Sequence, residues 1–231
     1  MFFEPPSAQE EAPRPSKPEL PAWYAPPAEE MGATMTSDLL LARTPNVAIA
    51  LPTIRAFSTG CLLDVDIVMR RRSLPPDDFQ ALQMSVFPHM ISSVSARGLP
   101  DNLLRFGVRF ADGTKATTVG QRFDLARLPQ DPPSVPRLSW LFGGMSLRSG
   151  GDEEGFLTVG LWLWPSPPPE TFELGVEWPS AGIELSIATL DGAAIVSAAE
   201  RSVPYWPAPP TGRLTRSRLE GRSTADDFNG P

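Results

Sequence analysis

The stretch from Phe156 to Trp178, FLTVGLWLWPSPPPETFELGVEW, limits the possible folds more than any other part of the chain. Leu157, Val159, Leu161 and Leu163 alternate with Thr158, Gly160, Trp162 and Trp164. After a proline-rich link, Phe172, Leu174, Val176 and Trp178 alternate with Glu173, Gly175 and Glu177. Successive side chains of a strand point to opposite faces, so each run has one apolar face to bury. A helix would instead need its apolar positions every three or four residues. The stretch therefore predicts two long strands, paired as a hairpin across the prolines. One face makes a core wall, and the other carries two tryptophans and two glutamates.

The same period recurs elsewhere. Val47, Ile49 and Leu51 alternate with alanines, and Pro52 should place that strand at an edge or end its regular part, with Ile54 to Ser58 continuing it beyond a bulge. Cys61, Leu63, Val65, Ile67 and Met69 alternate with Asp64, Asp66 and Arg70. Leu104, Phe106, Val108 and Phe110 alternate with Arg105, Gly107 and Arg109, and Asp112-Gly113 then marks a tight turn. Ile183, Leu185 and Ile187 form a further strand. Pro75-Pro76-Asp77-Asp78 reads as a helix start, with Phe79, Leu82 and Val86 as its stripe. Asp191 caps a second short helix over 192–201. Leu138 to Phe142 reads as a short strand, and Gly143 to Gly155 as a flexible loop.

These segments, joined mostly by short turns, predict a mainly β fold. The expected architecture is an antiparallel two-sheet β-sandwich with one or two short helices. A partly closed barrel is the alternative. Prolines at 5, 6, 13, 15, 18, 21, 26 and 27 make residues 1–36 a mostly extended segment. The domain spans 37–207. Residues 208–231, with little apolar material, are expected to be a disordered tail.

Composition excludes several functions. The net charge of −7 opposes nucleic-acid binding, which needs clustered Lys and Arg. One cysteine and one histidine, Cys61 and His89, leave too few ligands for a zinc site and permit no intrachain disulfide. No apolar run is long enough to span a membrane. The acidic, proline-broken start is not a signal peptide, so a cytoplasmic location is the expectation. No Gly-Lys-Ser/Thr follows the glycines at 143–151, and no nucleophile-elbow motif accompanies His89. No catalytic, metal or cofactor residue is assigned, and no cofactor is expected.

Two groups remain. Asp64 and Asp66 share a strand face about 7 Å apart. They read either as an acid/base or calcium pair or as a solvated face paired with Arg105 and Arg109. Trp162 and Trp164 form an aromatic strip that is open to either of two readings. It is covered, by the alanine-rich helix or by the Trp23-Tyr24 segment, or it is an interaction surface. The candidate interaction residues are thus Trp162, Trp164, Trp23 and Tyr24.

The motifs LRFGVRFADG (ending at Asp112-Gly113), WLWPSPPPETFELGVEWPSAGIE (162–184) and LDGAAIVSAAERSVPYWP (190–207) carry a resemblance. Together they resemble a family of conserved hypothetical proteins from high-GC bacteria. The resemblance covers roughly residues 38–207 and implies the same order of strands and terminal helix. It brings no catalytic residues and no activity. The expected role is a non-catalytic module with a protein partner, either another chain or a second copy. The alternative is a small-molecule or carbohydrate-binding domain, with or without acid/base enzyme activity from Asp64, Asp66, Glu173 or Glu177.

Overall fold

The computed structural model describes residues 20–86, 103–119, 131–149 and 153–207. The expectations for residues 1–19, His89 and the tail 208–231 fall outside these.

Mainly β structure is observed, in antiparallel sheets. Along the chain come β1 (Glu30–Met31), β2 (Ala33–Arg43), β3 (Val47–Phe57), β4 (Gly60–Arg70) and helix α1 (Pro76–Met84). Then follow β5 (Arg105–Arg109), β6 (Lys115–Thr117), β7 (Arg137–Ser149), β8 (Glu154–Trp164), β9 (Thr171–Trp178) and β10 (Ile183–Asp191). Helix α2 (Gly192–Ala199) and β11 (Val203–Pro204) complete the described chain. One sheet has five strands in the order β2-β3-β4-β8-β7. A second has four, β10-β9-β5-β6, and a two-stranded ribbon pairs β1 with β11.

The alternation has the expected consequence within each sheet. Leu63, Val65 and Ile67 of β4 lie in register with Leu161, Val159 and Leu157 of β8, and all six are buried. In the four-stranded sheet, Phe106 and Val108 pair with Val176 and Leu174. Buried side chains from both sheets join in one continuous core. Phe106 of β5 meets Trp140 of β7 edge-to-face, with ring centres 5.5 Å apart. At another contact between the sheets, Ser186 Oγ in β10 donates to the Leu41 carbonyl in β2 at 2.6 Å.

The predicted β8–β9 hairpin does not form. β8 pairs with β4 and β7, whereas β9 pairs with β5 and β10. Pro165 to Pro169 therefore carries the chain from one sheet to the other rather than turning it back beside itself. The four prolines in that link have no N–H to extend a ladder. Pro52 is not at an edge, since β3 lies between β2 and β4; the expected interruption, with the strand continuing beyond a bulge to Phe57, is what is observed. The proline is accommodated because the register shifts around it on both sides, between Thr36 and Leu39 and between Ala50 and Thr53. A bulge relieves the ladder of the missing donor.

β7 extends well beyond the short strand expected, and the loop assigned to 143–155 is largely extended chain. Ser146 to Ser149 pairs with Thr158 to Gly155, after a register shift that absorbs Phe142 to Met145. Both helices begin where the sequence predicts, α1 at Pro76 without a side-chain cap and α2 after the Asp191 cap. Asp191 accepts from the Ala194 N–H at 3.1 Å, and Ile195 and Ala198 enter the core. Phe79 and Leu82 anchor α1. Just beyond it, Ser85 Oγ accepts the Trp178 indole N–H at 2.9 Å and donates to the Leu82 carbonyl at 2.7 Å.

Candidate interaction surfaces

Residues 20–28 cross the outer side of the five-stranded sheet as a strap. Pro21 to Ala25 forms a turn, with the Tyr24 N–H on the Pro21 carbonyl at 2.8 Å. The turn packs the rings of Trp23 and Tyr24 edge-to-face at 5.9 Å, and both are buried. Trp162 lies beneath, its indole N–H donating to the Ala22 carbonyl at 3.0 Å. With Phe57 and Leu62 it forms a second, smaller buried cluster, against which Trp164 and Leu141 are partly buried. The strap is held at its far end as well. Tyr205 N–H donates to the Glu29 carbonyl at 2.8 Å, and the Glu30 carboxylate accepts from the Ser58 N–H and hydroxyl at 2.7 and 2.6 Å.

The four candidate residues thus come together around the strap. Trp162 is fully enclosed, Trp23 and Tyr24 are buried over it, and Trp164 is partly buried beside it. The Arg137 guanidinium lies 5.1 Å above the Trp23 ring. Burial pulls its pKa down, countered in part by Tyr24. Beside the strap is a cavity of about 790 Å³. Tyr24, Met31, Phe57 and Tyr205 give it an apolar wall, and Glu30 and Arg55 add charge.

A second surface is the outer face of the four-stranded sheet. Gly107 and Gly175 are directly opposed at its centre. On one side of them Arg105 opposes Glu177, with N···O at 3.3 Å. On the other Arg109 opposes Glu173, at 2.6 Å. The Arg109 hydrogen bond holds Glu173 below the usual glutamate range. Leu185 and Ile187 of β10 flank the glycines on one edge and are 64% and 50% exposed. Thr117 and Val119 flank them on the other, with Val119 45% exposed. The absence of side chains at the two glycines leaves a depression of about 310 Å³. A Cβ on Gly175 would sit 3.3 Å from Leu185 Cδ1, and one on Gly107 3.3 Å from Thr117 Cγ2.

The carboxylates singled out in sequence all have partners. Asp64 accepts from Arg55 Nε and Nη2, each at 3.0 Å, and from the Thr53 hydroxyl at 3.2 Å. Asp66 accepts from Thr158 Oγ1 at 2.7 Å. The expected pairing of these aspartates with Arg105 and Arg109 is not found, because those arginines lie in the other sheet and pair with Glu177 and Glu173. Among the described residues, no three His, Cys, Asp or Glu side chains cluster as metal ligands. Cys61 is buried in the core, which pushes its thiol up to about 12. No described helix is long and apolar enough to cross a membrane.

The exposed face of Leu185, Ile187 and the glycine pair was missed by the sequence reading. Its signal was present in the paired patterns Arg-Phe-Gly-Val-Arg and Glu-Leu-Gly-Val-Glu. Identical spacing of opposite charges around a central glycine is what two adjacent antiparallel strands would show. No family model matches the chain, and no curated protein does either.

Proposed function

We propose that this chain is a non-catalytic, cytoplasmic β-sandwich module that works by protein–protein contact, through the outer face of its four-stranded sheet. The supporting observation is the make-up of that face. It gathers two carboxylates, yet each is held by an arginine of the neighbouring strand, and exposed aliphatic side chains flank them. An acid/base site needs a carboxylate whose proton can move to a substrate. Ion-paired charges beside exposed Leu and Ile are instead what a contact surface presents.

A photo-reactive benzophenone side chain at position 185, used in extract of the source cell, tests this reading. A control at Leu40, also exposed but on β2, reports background. Discrete adducts from position 185 and none from position 40 are expected. Equal, diffuse labelling from both positions would count against the reading.

A second reading is supported by the cavity beside the strap. Its volume of about 790 Å³ lies in the range of small-molecule sites, which is roughly 300–1,000 Å³. Its aromatic and charged walls suit an uncharged or zwitterionic ligand. Thermal-shift screening of sugars and metabolites tests this reading, with loss of any shift expected in a Phe57→Ala variant.

A further inference from the structure

We infer that the four-stranded sheet docks face-to-face on the same sheet of a second copy, making a two-fold symmetric dimer. This rests on the contact reading above and names its occupant.

The inference follows from the order of charges across the sheet. Reading from β10 to β6, the row through Glu177 and Arg105 runs negative then positive; the row through Glu173 and Arg109 does the same, begins at Thr189 on β10 and ends at the exposed Lys115 on β6. Between them lies the row through Gly175 and Gly107. Consider a two-fold axis parallel to the strands, passing between β9 and β5. It reverses the order of strands but keeps each row at its own level. Arg105 of one copy then faces Glu177 of the other, and Arg109 faces Glu173. The central ion pair of each row is complementary to itself under this operation, and Lys115 of β6 comes to lie over Thr189 of β10 in the other copy. A surface that is its own complement is the requirement for a closed, isologous dimer.

The uncharged positions fit the same axis. Leu185 and Ile187 on the β10 edge come to lie over Thr117 and Val119 on the β6 edge of the other copy. Leu185 thus meets Val119, and Ile187 meets the methyl group of Thr117, on both flanks. The two glycines fall beneath the axis, where the backbones must approach most closely. The face spans four strands and, along the central β5, five residues, roughly 19 by 17 Å from standard strand spacings. That is about 300 Å² per copy, well under the roughly 800 Å² per partner of standard stable interfaces. The dimer should therefore be weak and exchanging, as interfaces below the standard size are.

Sedimentation equilibrium of the full chain, run up to about 1 mM, tests this. The decisive variant exchanges both rows: Arg105→Glu, Glu177→Arg, Arg109→Glu and Glu173→Arg. It preserves each ion pair within the sheet and its own self-complementarity. Against the native chain, however, it sets like charge over like charge. The native chain and the swapped chain should each dimerise alone, and a mixture with one partner labelled should hold mixed dimers well below their statistical share. Ile187→Asp should shift the native chain to monomer. A native chain that stays monomeric throughout, or mixed dimers at the statistical share, would overturn the inference. If the chain is monomeric while benzophenone at position 185 captures a different protein, the inference fails and the proposed function stands. If it neither dimerises nor captures a partner, both fail.

Discussion

The indole N–H of Trp162 donates to the Ala22 carbonyl at 3.0 Å, joining residues 140 apart in sequence. This bond fixes the strap over an aromatic strip that the alternation of β8 would otherwise turn to solvent. Trp162→Phe keeps most of the ring but removes the donor, and should cost about 1–2 kcal/mol. Trp162→Ala should cost about 3–5 kcal/mol, because it also opens a cavity between Phe57 and Leu62. Both should speed proteolysis near Ala22 to Ala25. Urea denaturation combined with limited proteolysis checks the two effects separately.

Two glycines are fixed by neighbours that cannot move aside. A Cβ at Gly192 would run into the Pro168 and Glu170 carbonyl oxygens, and one at Gly60 into the Leu163 carbonyl oxygen and the Trp162 ring. Gly192→Ala and Gly60→Ala should each cost about 1–3 kcal/mol. At about 2–4 °C of Tm per kcal/mol, differential scanning calorimetry resolves this. The Gly192 change should also loosen the crossover between the sheets, since the Gly192 N–H donates to the Glu170 carbonyl.

Glu30 gives the fold an acid-sensitive point. Burial raises its pKa, but hydrogen bonds from Ser202 and Ser58 outweigh that and leave it below its ordinary value of 4.5. A carboxylate with a lowered folded pKa contributes stability that is present above the unfolded value. That contribution is lost as pH falls through the folded one. Stability measured by urea unfolding should therefore decline as pH drops below about 4.5, and Glu30→Gln should lessen the decline.

Cys61 should be chemically silent in the folded protein. Its thiol is enclosed in the core and pushed up to about 12, so almost no thiolate exists at pH 8. A thiol-reactive chromogenic disulfide should react with it only after denaturant is added. Prompt labelling without denaturant would mean that β4 opens locally.

Much of the local structure was legible in the sequence. Period-two runs marked β3, β4, β5, β8 and β9, because burying one face of a sheet leaves no other pattern. Asp112-Gly113 marked a turn, where Gly113 takes a φ of +85°, and Asp191 marked the start of α2. Partner choice was not legible. Alternation shows which face of a strand is apolar but not which strand lies beside it, so β8 and β9 looked like a hairpin although they belong to different sheets. The proline-rich link gives the same signal whether the chain turns back or crosses over.

The aromatic residues illustrate a similar limit. Trp162 lies on the face opposite Leu161 and Leu163, yet all three are buried. Only the long-range placement of the strap decides this, and no period in the sequence encodes it. The exposed counterpart lay instead in Leu185, Ile187 and the Gly107–Gly175 pair, where matched charge spacing was the readable clue.

The contact face itself is tested most directly by residue-resolved NMR of the full chain, recorded alone over a range of concentrations and then with source-cell extract. Signals of Gly107, Gly175, Leu185 and Ile187 should shift or broaden, while the indole N–H signals of Trp162 and Trp23 stay fixed. Shifts confined to those two indoles, with the sheet face unchanged, would contradict the proposal and place the contact at the strap.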